Sequence, residues 1–167
     1  MDKEKNKDLI TSLIELHEGH FYKLAYTYLR NHEDAQDVLH NAYEIAYLKQ
    51  DQVRDKKKAK AWLLTIIRNE ANGLIKRNVL GRQKALDHYQ DQAELTNSSD
   101  VASQVDLKEA LNHLDKDQRD LVVMKYLLGY KQREISEILG IPKGTVKSKT
   151  SRALEALRHI LGGDYNE

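Results

Sequence analysis

An all-α fold of two small helical domains, joined by a flexible acidic linker and with a helix-turn-helix in the second, is predicted by three observations. The chain of 167 residues holds one proline and is rich in Leu, Ala, Lys, Glu, Gln and Asp, a composition that favours helices over strands. Its apolar residues recur at spacings of three and four, the period of one helix face. Its charges are segregated: from Ala85 to Leu107 there is no Lys or Arg, while Asp87, Asp91, Glu94, Asp100 and Asp106 all fall there. That polar, hydroxyl-rich middle divides the chain into a domain over 1–86, a linker over 87–104 and a domain over 105–167.

Composition also limits function. No cysteine is present, so disulfides, thiolate metal sites and cysteine nucleophiles are excluded. No segment approaches the roughly 18 uninterrupted apolar residues of a membrane span, and the charged start MDKEKNKD lacks a signal core. A cytoplasmic location is expected. His17 and His20 are read as helix residues rather than metal ligands, because nothing nearby supplies the remaining ligands; no metal and no cofactor are expected. No constellation of His, Asp, Glu or Ser has a distinctive catalytic spacing, and domains this small have little room for a deep cavity. The protein is therefore read as a non-enzyme.

In the first half, Ile10, Leu13, Ile14, His17, Phe21, Leu24, Ala25 and Tyr28 mark one helix, interrupted only at Gly19. A turn at Asn31-His32 precedes a second amphipathic helix carrying Ala35, Val38, Leu39, Ala42, Tyr43 and Ala46, with Glu33 and Asp34 suited to its positive end. LKQDQVRDKKK is too polar to be core. A third stripe, Ala59, Leu63, Ile66, Ile67, Ala71, Leu74 and Ile75, ends at Lys76-Arg77. Trp62, near its start, is read as core in preference to a base-stacking residue.

The second half gives shorter helices. Leu107, Ala110, Leu111 and Leu114 mark one. Leu121, Val122, Met124, Tyr126, Leu127 and Leu128 mark the next, with Asp117 and Asp120 expected at its capped start and Gly129 at its end. KQREISEIL buries Ile135, Ile138 and Leu139, Gly140 supplies the permissive backbone of a helix end, and Pro142 opens the last helix. Helix, tight turn and helix are thus consecutive, a known way of offering one helix to the DNA major groove.

The last helix is sorted by angle at about 100° per residue. Val146, Thr150, Ala153, Leu154, Leu157, Ile160 and Leu161 share the packed face. The opposite face carries Gly144, Lys147, Ser148, Ser151, Arg152 and Glu155; its cationic and hydroxyl types reach base edges and phosphates, while Lys143, Thr145 and Lys149 flank it and suit phosphates. Glycine inside a helix costs about 1 kcal/mol relative to alanine. On this face no core packing asks for Gly144, so its absent side chain points to close approach from outside. The same face is also compatible with a merely solvated surface, or with a dimeric repressor that binds duplex operator without other proteins.

Longer words of the sequence bear a resemblance. KQREISEILGIPKGTVKSKTSRALEALR and ALNHLDKDQRDLVVMKYLLGY resemble the carboxy-terminal DNA-binding domain of bacterial extracytoplasmic-function (ECF) sigma factors of the sigma-70 superfamily. HFYKLAYTYLRNHEDAQDVLHNAYEIAY and AWLLTIIRNEANGLIKR resemble their amino-terminal domain, and the order of all four is the family's. The resemblance implies a factor that binds core RNA polymerase, reads the minus-ten promoter element with its first domain and the minus-thirty-five element with its second.

Carried over by position, Asp37, His40 and Asn41 would face the polymerase. Arg54, Lys56, Lys57, Lys58 and Lys60, with Arg68, Asn69, Lys76 and Arg77, would hold minus-ten DNA. Lys147, Ser148, Ser151 and Arg152, flanked by Lys143, Gly144, Thr145 and Lys149, would meet the minus-thirty-five element. The family also implies an inhibitory anti-sigma partner, commonly at the membrane. Three departures stand out: Asp115 in place of proline, Gln36 and His40-Asn41 in place of acidic and Gln-Glu residues, and Lys149 in place of arginine, which favours a point contact with phosphate over a bidentate one.

Overall fold

The computed structural model describes residues 3–88 and 106–162, and every regular element in them is helical. Helix α1 (Lys3–Leu29) is bent at His17, whose φ of −118° and ψ of 17° are not helical, two residues before the glycine at which the periodicity breaks. Helix α2 (His32–Leu48) starts where Asn31 Oδ1 accepts from the Asp34 amide at 2.9 Å, so the turn residue is also the cap. Two short 3₁₀ turns, Gln50–Gln52 and Lys56–Lys58, lead into α3 (Ala59–His88). Helices α1, α2 and α3 pack together around Ile10, Phe21, Leu24, Val38, Leu63 and Ile67.

Three expectations for this half change. LKQDQVRDKKK is not wholly excluded from the core: Val53 is 4% exposed. Asn6, itself buried, donates from Nδ2 to the carbonyls of Gln50 and Val53, so a polar loop is held by its backbone while one apolar side chain turns inward. Helix α3 does not stop at Lys76-Arg77 but continues to His88 through residues with good helix propensity. The predicted linker therefore begins inside α3, and the rest of it, from 89 onward, lies outside the described residues.

The second domain begins with α4 (Leu107–His113), capped by Asp106. Helix α5 (Lys116–Leu121) follows and runs on into a π-helical stretch, Val122–Leu127. Val122, Val123 and Met124 are all buried here, continuing a buried run that starts at Arg119 in α5, while Tyr126 is exposed, which reverses the sequence assignment of Tyr126 and adds Val123 to the core. Helix α6 (Gln132–Leu139) ends at Gly140, whose φ of 69° is left-handed. Helix α7 (Lys143–Gly162) follows, its first helical bond running from the Val146 amide to the Pro142 carbonyl at 3.0 Å. Val146, Thr150, Ala153 and Leu157 are buried, as the angular sorting predicts, whereas Leu161 is 38% exposed in the last turn.

The start of α5 corrects another expectation. Its cap is Asp115, whose Oδ1 accepts from the Gln118 amide at 2.8 Å while Gln118 Oε1 accepts from the Asp115 amide at 3.4 Å, a reciprocal pair. Asp117 only occupies the first turn, and Asp120 is no cap at all. It lies beyond the helix start, 1% exposed, at the junction of the two domains. The buried apolar residues of both domains form one connected cluster across that junction.

Two measurements follow. Asp115→Ala should lower unfolding stability by about 1 kcal/mol, and Asp117→Ala by only a few tenths, in matched urea titrations. His20, half-exposed at the domain junction, donates to or accepts from the Tyr130 hydroxyl at 2.7 Å. Burial, then Lys60 and His17, lower its pKa below 6.5, while Glu134 opposes them. The unfolded chain then takes up its proton first on acidification, so stability present above about pH 6.5 falls as pH drops below it. Denaturation midpoints at about pH 7.5 and about pH 6 should differ more for the parent than for His20→Gln.

Candidate nucleic-acid interface

The packed side of α7 fixes its free side. With Val146, Thr150, Ala153 and Leu157 buried, Lys147, Ser148, Ser151 and Arg152 are all exposed, as are Lys143, Gly144 and Lys149; Thr145 is half-buried. The Thr150 hydroxyl is bonded to the Val146 carbonyl and so belongs to the scaffold. Ser148 Oγ donates to the Thr145 carbonyl at 3.1 Å, leaving its lone pairs outward. A Cβ added at Gly144 would meet no atom within 4 Å, so nothing inside the chain requires glycine there. Gln132 Nε2 donates to the Lys143 carbonyl and ties the helix start to α6.

The second basic group surrounds the entry to α3. Asp55 caps the Lys56–Lys58 turn by accepting from the Lys57 amide at 3.0 Å, which holds three exposed lysines on one tight turn beside exposed Arg54. Lys60 and Trp62 are half-buried on the first turn of α3, so Trp62 is neither core nor free. It lines a cleft with Lys58, Thr65, Ser136 and Glu137, the last two from α6. An adjoining cleft sets Lys57 and Lys60 beside Glu134 and Glu137. Further along α3, Asn69, Lys76 and Arg77 are exposed, but Arg68 is not: its side chain is 12% exposed and paired with Asp120 at 2.7 Å.

Around that pair lies a network that sequence reading missed. Asp120 Oδ1 accepts from the Tyr28 hydroxyl at 2.6 Å and from Asn72 Nδ2 at 2.8 Å, and Oδ2 accepts from Arg68 Nη1 at 2.7 Å. Arg119 Nη1 donates to Asn72 Oδ1 at 2.7 Å, while its Nε and Nη2 hold the Leu111 and Leu114 carbonyls at 2.8 Å. Burial and then the Asp120 carboxylate push the Tyr28 hydroxyl pKa well up. Burial pulls that of Arg119 down against the pull of Asp120. The available signal was Asn72 inside the apolar stripe of α3 and Arg119-Asp120 directly before LVVM, polar residues at positions the period assigns to the core.

The third group is on α2. Asp37 and His40 line a groove of about 700 Å³ between α1 and α2 with Glu18, Tyr22, His32 and Tyr43; Asn41 is exposed beside it. Tyr22 and His32 are joined at 2.6 Å. The Tyr43 hydroxyl has no hydrogen-bond partner among the described residues, and burial and then Glu18 push its pKa up to about 12. Among the described residues no group of His, Asp or Glu is arranged to hold a metal ion, and no helix is long and apolar enough to cross a membrane.

Residues 13–80 match the protein-family model for Sigma-70 region 2, and residues 104–157 that for Sigma-70 region 4. The chain belongs to the ECF sigma factors of the sigma-70 family. It is 27% identical over 156 residues to RNA polymerase sigma factor SigV of Bacillus subtilis, covering 93% of each chain. It is also 27% identical over 172 residues to ECF RNA polymerase sigma factor SigW of the same organism, covering 95% of this chain and 92% of that one. Among solved structures it resembles the sigma factor RpoE in a complex with the anti-sigma factor NepR from Bartonella quintana. That likeness has a TM-score of 0.55 at 26% identity and covers 90% of this chain and 94% of that one. This sigma factor is thus a non-enzymatic initiation factor: region 2 serves the minus-ten element and the region 4 helix-turn-helix the minus-thirty-five element.

Proposed function

We propose that this sigma factor works through three surfaces, two for promoter DNA and one for core polymerase, within a cytoplasmic protein divided at 1–86, 87–104 and 105–167. Lys147, Ser148, Ser151 and Arg152 read minus-thirty-five bases, with Lys143, Thr145 and Lys149 on phosphates and Gly144 allowing the backbone to come close. Arg54, Lys56, Lys57, Lys58 and Lys60, continued by Arg68, Asn69, Lys76 and Arg77, follow the minus-ten strand. Asp37, His40 and Asn41 meet core RNA polymerase. The observation that carries the reading is the division of α7 into a buried Val146 side and an exposed side of cationic, hydroxyl and glycine residues.

An anti-sigma protein is a further partner. The support is the NepR-bound relative, which this chain matches over most of its length. A membrane anchor for such a partner remains part of the family expectation.

Arg152→Ala should cost roughly 1–3 kcal/mol on the preferred promoter and relax preference at one or two base pairs. Lys149→Ala should weaken all promoters alike and reduce the salt dependence of binding. Holoenzyme binding to a panel of minus-thirty-five variants at two salt concentrations separates the two; equal loss of specificity would refute the face assignment. Asp37→Lys combined with Asn41→Ala should weaken core polymerase binding by at least about tenfold, without changing the helical content of the free protein. Transcription by core polymerase with and without the protein on genomic DNA tests the whole reading against a regulator that works alone.

A further inference from the structure

Asn6 is a polar residue near the start of α1 that is only 2% exposed, and it lies ahead of the region 2 match, which begins at residue 13. Its Nδ2 donates to the Gln50 carbonyl at 2.9 Å and to the Val53 carbonyl at 3.3 Å, 44 and 47 residues further along the chain. These carbonyls bracket the Gln50–Gln52 turn, and the Gln50 carbonyl also closes that turn by accepting from the Val53 amide at 3.1 Å. The carboxamide is committed through its nitrogen alone: Asn6 Oδ1 is buried without a hydrogen-bond partner among the described residues. A buried acceptor left unpaired costs free energy, so stability by itself does not favour asparagine at this position. What the side chain supplies is a grip on the loop between α2 and α3.

Of the two elements that meet at Asn6, the loop is the dependent one. Helix α1 has Ile10, one turn further along the same face and 0% exposed, to anchor its start. Between Lys49 and Lys58 the one buried side chain is Val53, and the bonds within the loop are short-range: the amides of Gln52, Val53 and Lys58 donate to the carbonyls of Lys49, Gln50 and Asp55, each three residues back. Arg54, Lys56, Lys57 and Lys58 are exposed, so their direction is set by the backbone that carries them. The Val53 carbonyl shares a rigid peptide plane with the Arg54 amide, and fixing one fixes how the chain leaves the core. Asp55, the next residue, caps the Lys56–Lys58 turn. Alignment of the basic run thus passes from Asn6 through Val53 to that cap.

We propose that Asn6 is a positioning residue for minus-ten binding: buried itself, it holds the loop so that Arg54 and the three lysines meet the unpaired strand as one pre-aligned group. The positioning rests on the minus-ten assignment above; the anchoring of the loop does not. Cations held in register neutralise neighbouring phosphates together, whereas a loop that is first ordered by the DNA binds more weakly and engages fewer of them.

Asn6→Asp keeps the shape and removes the donor, and Asn6→Ala removes it without placing a charge in the core. In the full-length protein both should raise hydrogen exchange at the Gln52, Val53 and Lys58 amides by roughly threefold or more, while amides in the middle of α2 and α3 keep their rates. Holoenzyme carrying either variant should bind a forked promoter probe with an unpaired minus-ten strand roughly three- to tenfold more weakly and with a smaller salt slope. Its discrimination between matched and mismatched minus-thirty-five duplexes should stay that of the parent. A partly misfolded preparation lowers the active fraction but leaves the salt slope alone. Unchanged exchange in both variants overturns the anchoring. Faster exchange with unchanged fork affinity and slope overturns the positioning, as does an equal loss on fork and minus-thirty-five probes at unchanged slope. Arg54→Ala combined with Lys57→Ala tests the underlying assignment in the same assay. If fork binding ignores that pair, the minus-ten reading of the loop has failed and the positioning with it, while the exchange measurement still decides the anchoring.

Discussion

The fold turns on the burial of one carboxylate. Asp120 is 1% exposed and receives three hydrogen bonds, one of them from a guanidinium, all from the opposite domain. Removing an ion from water costs several kcal/mol even after relaxation, and mutual attraction offsets this only when the remaining lone pairs are satisfied. The network therefore specifies geometry more than it adds stability. Tyr28 must run through the core of the first domain to place its hydroxyl at the buried junction, Asn72 must face the second domain from α3, and Arg119 must be aimed by the Leu111 and Leu114 carbonyls. Each of those requirements fixes an element, and together they set the register of α5 against α3.

Helix α3 is the shared element. Its first turn carries half-buried Lys60 and Trp62, its middle carries Arg68 and Asn72 of the seam, and its far end continues to His88. One helix thereby joins the basic turn at its start to the domain junction at its middle. The surfaces with other tasks are kept apart from it. The exposed side of α7 is defined by how Val146, Thr150, Ala153 and Leu157 pack on their own domain, and the groove beside Asp37 and His40 is built from α1 and α2 alone.

Much of this was legible in the chain because it is local. The periods of α2, α6 and α7, the left-handed end at Gly140 and the free face of α7 follow from residue spacing and backbone chemistry within a few turns. Asp115, standing where the family has proline, does cap α5, as the N-terminal preference of aspartate implies. The failures are also physical. Asp117 and Asp120 looked like caps because carboxylates near a helix start usually are. Tyr126 was assigned inward and Val123 overlooked because the buried run from Arg119 to Met124 follows no single helix period. Val53 was overlooked because a single buried side chain in a polar loop has no period.

By itself the sequence determined the helices, the helix-turn-helix, the cationic face that α7 presents, and membership of the sigma-factor family through words that span most of its length. What it left open is which polar groups are solvated and which are bonded. Arg68 counted as one more basic residue of the promoter segment, and Asp120 as one more helix-start acid. Only the tertiary structure brings them together, because residues 52 positions apart meet through the packing of two domains, and no local preference encodes that distance. The same approach sets Lys57 and Lys60 beside Glu134 and Glu137 of α6, in one cleft.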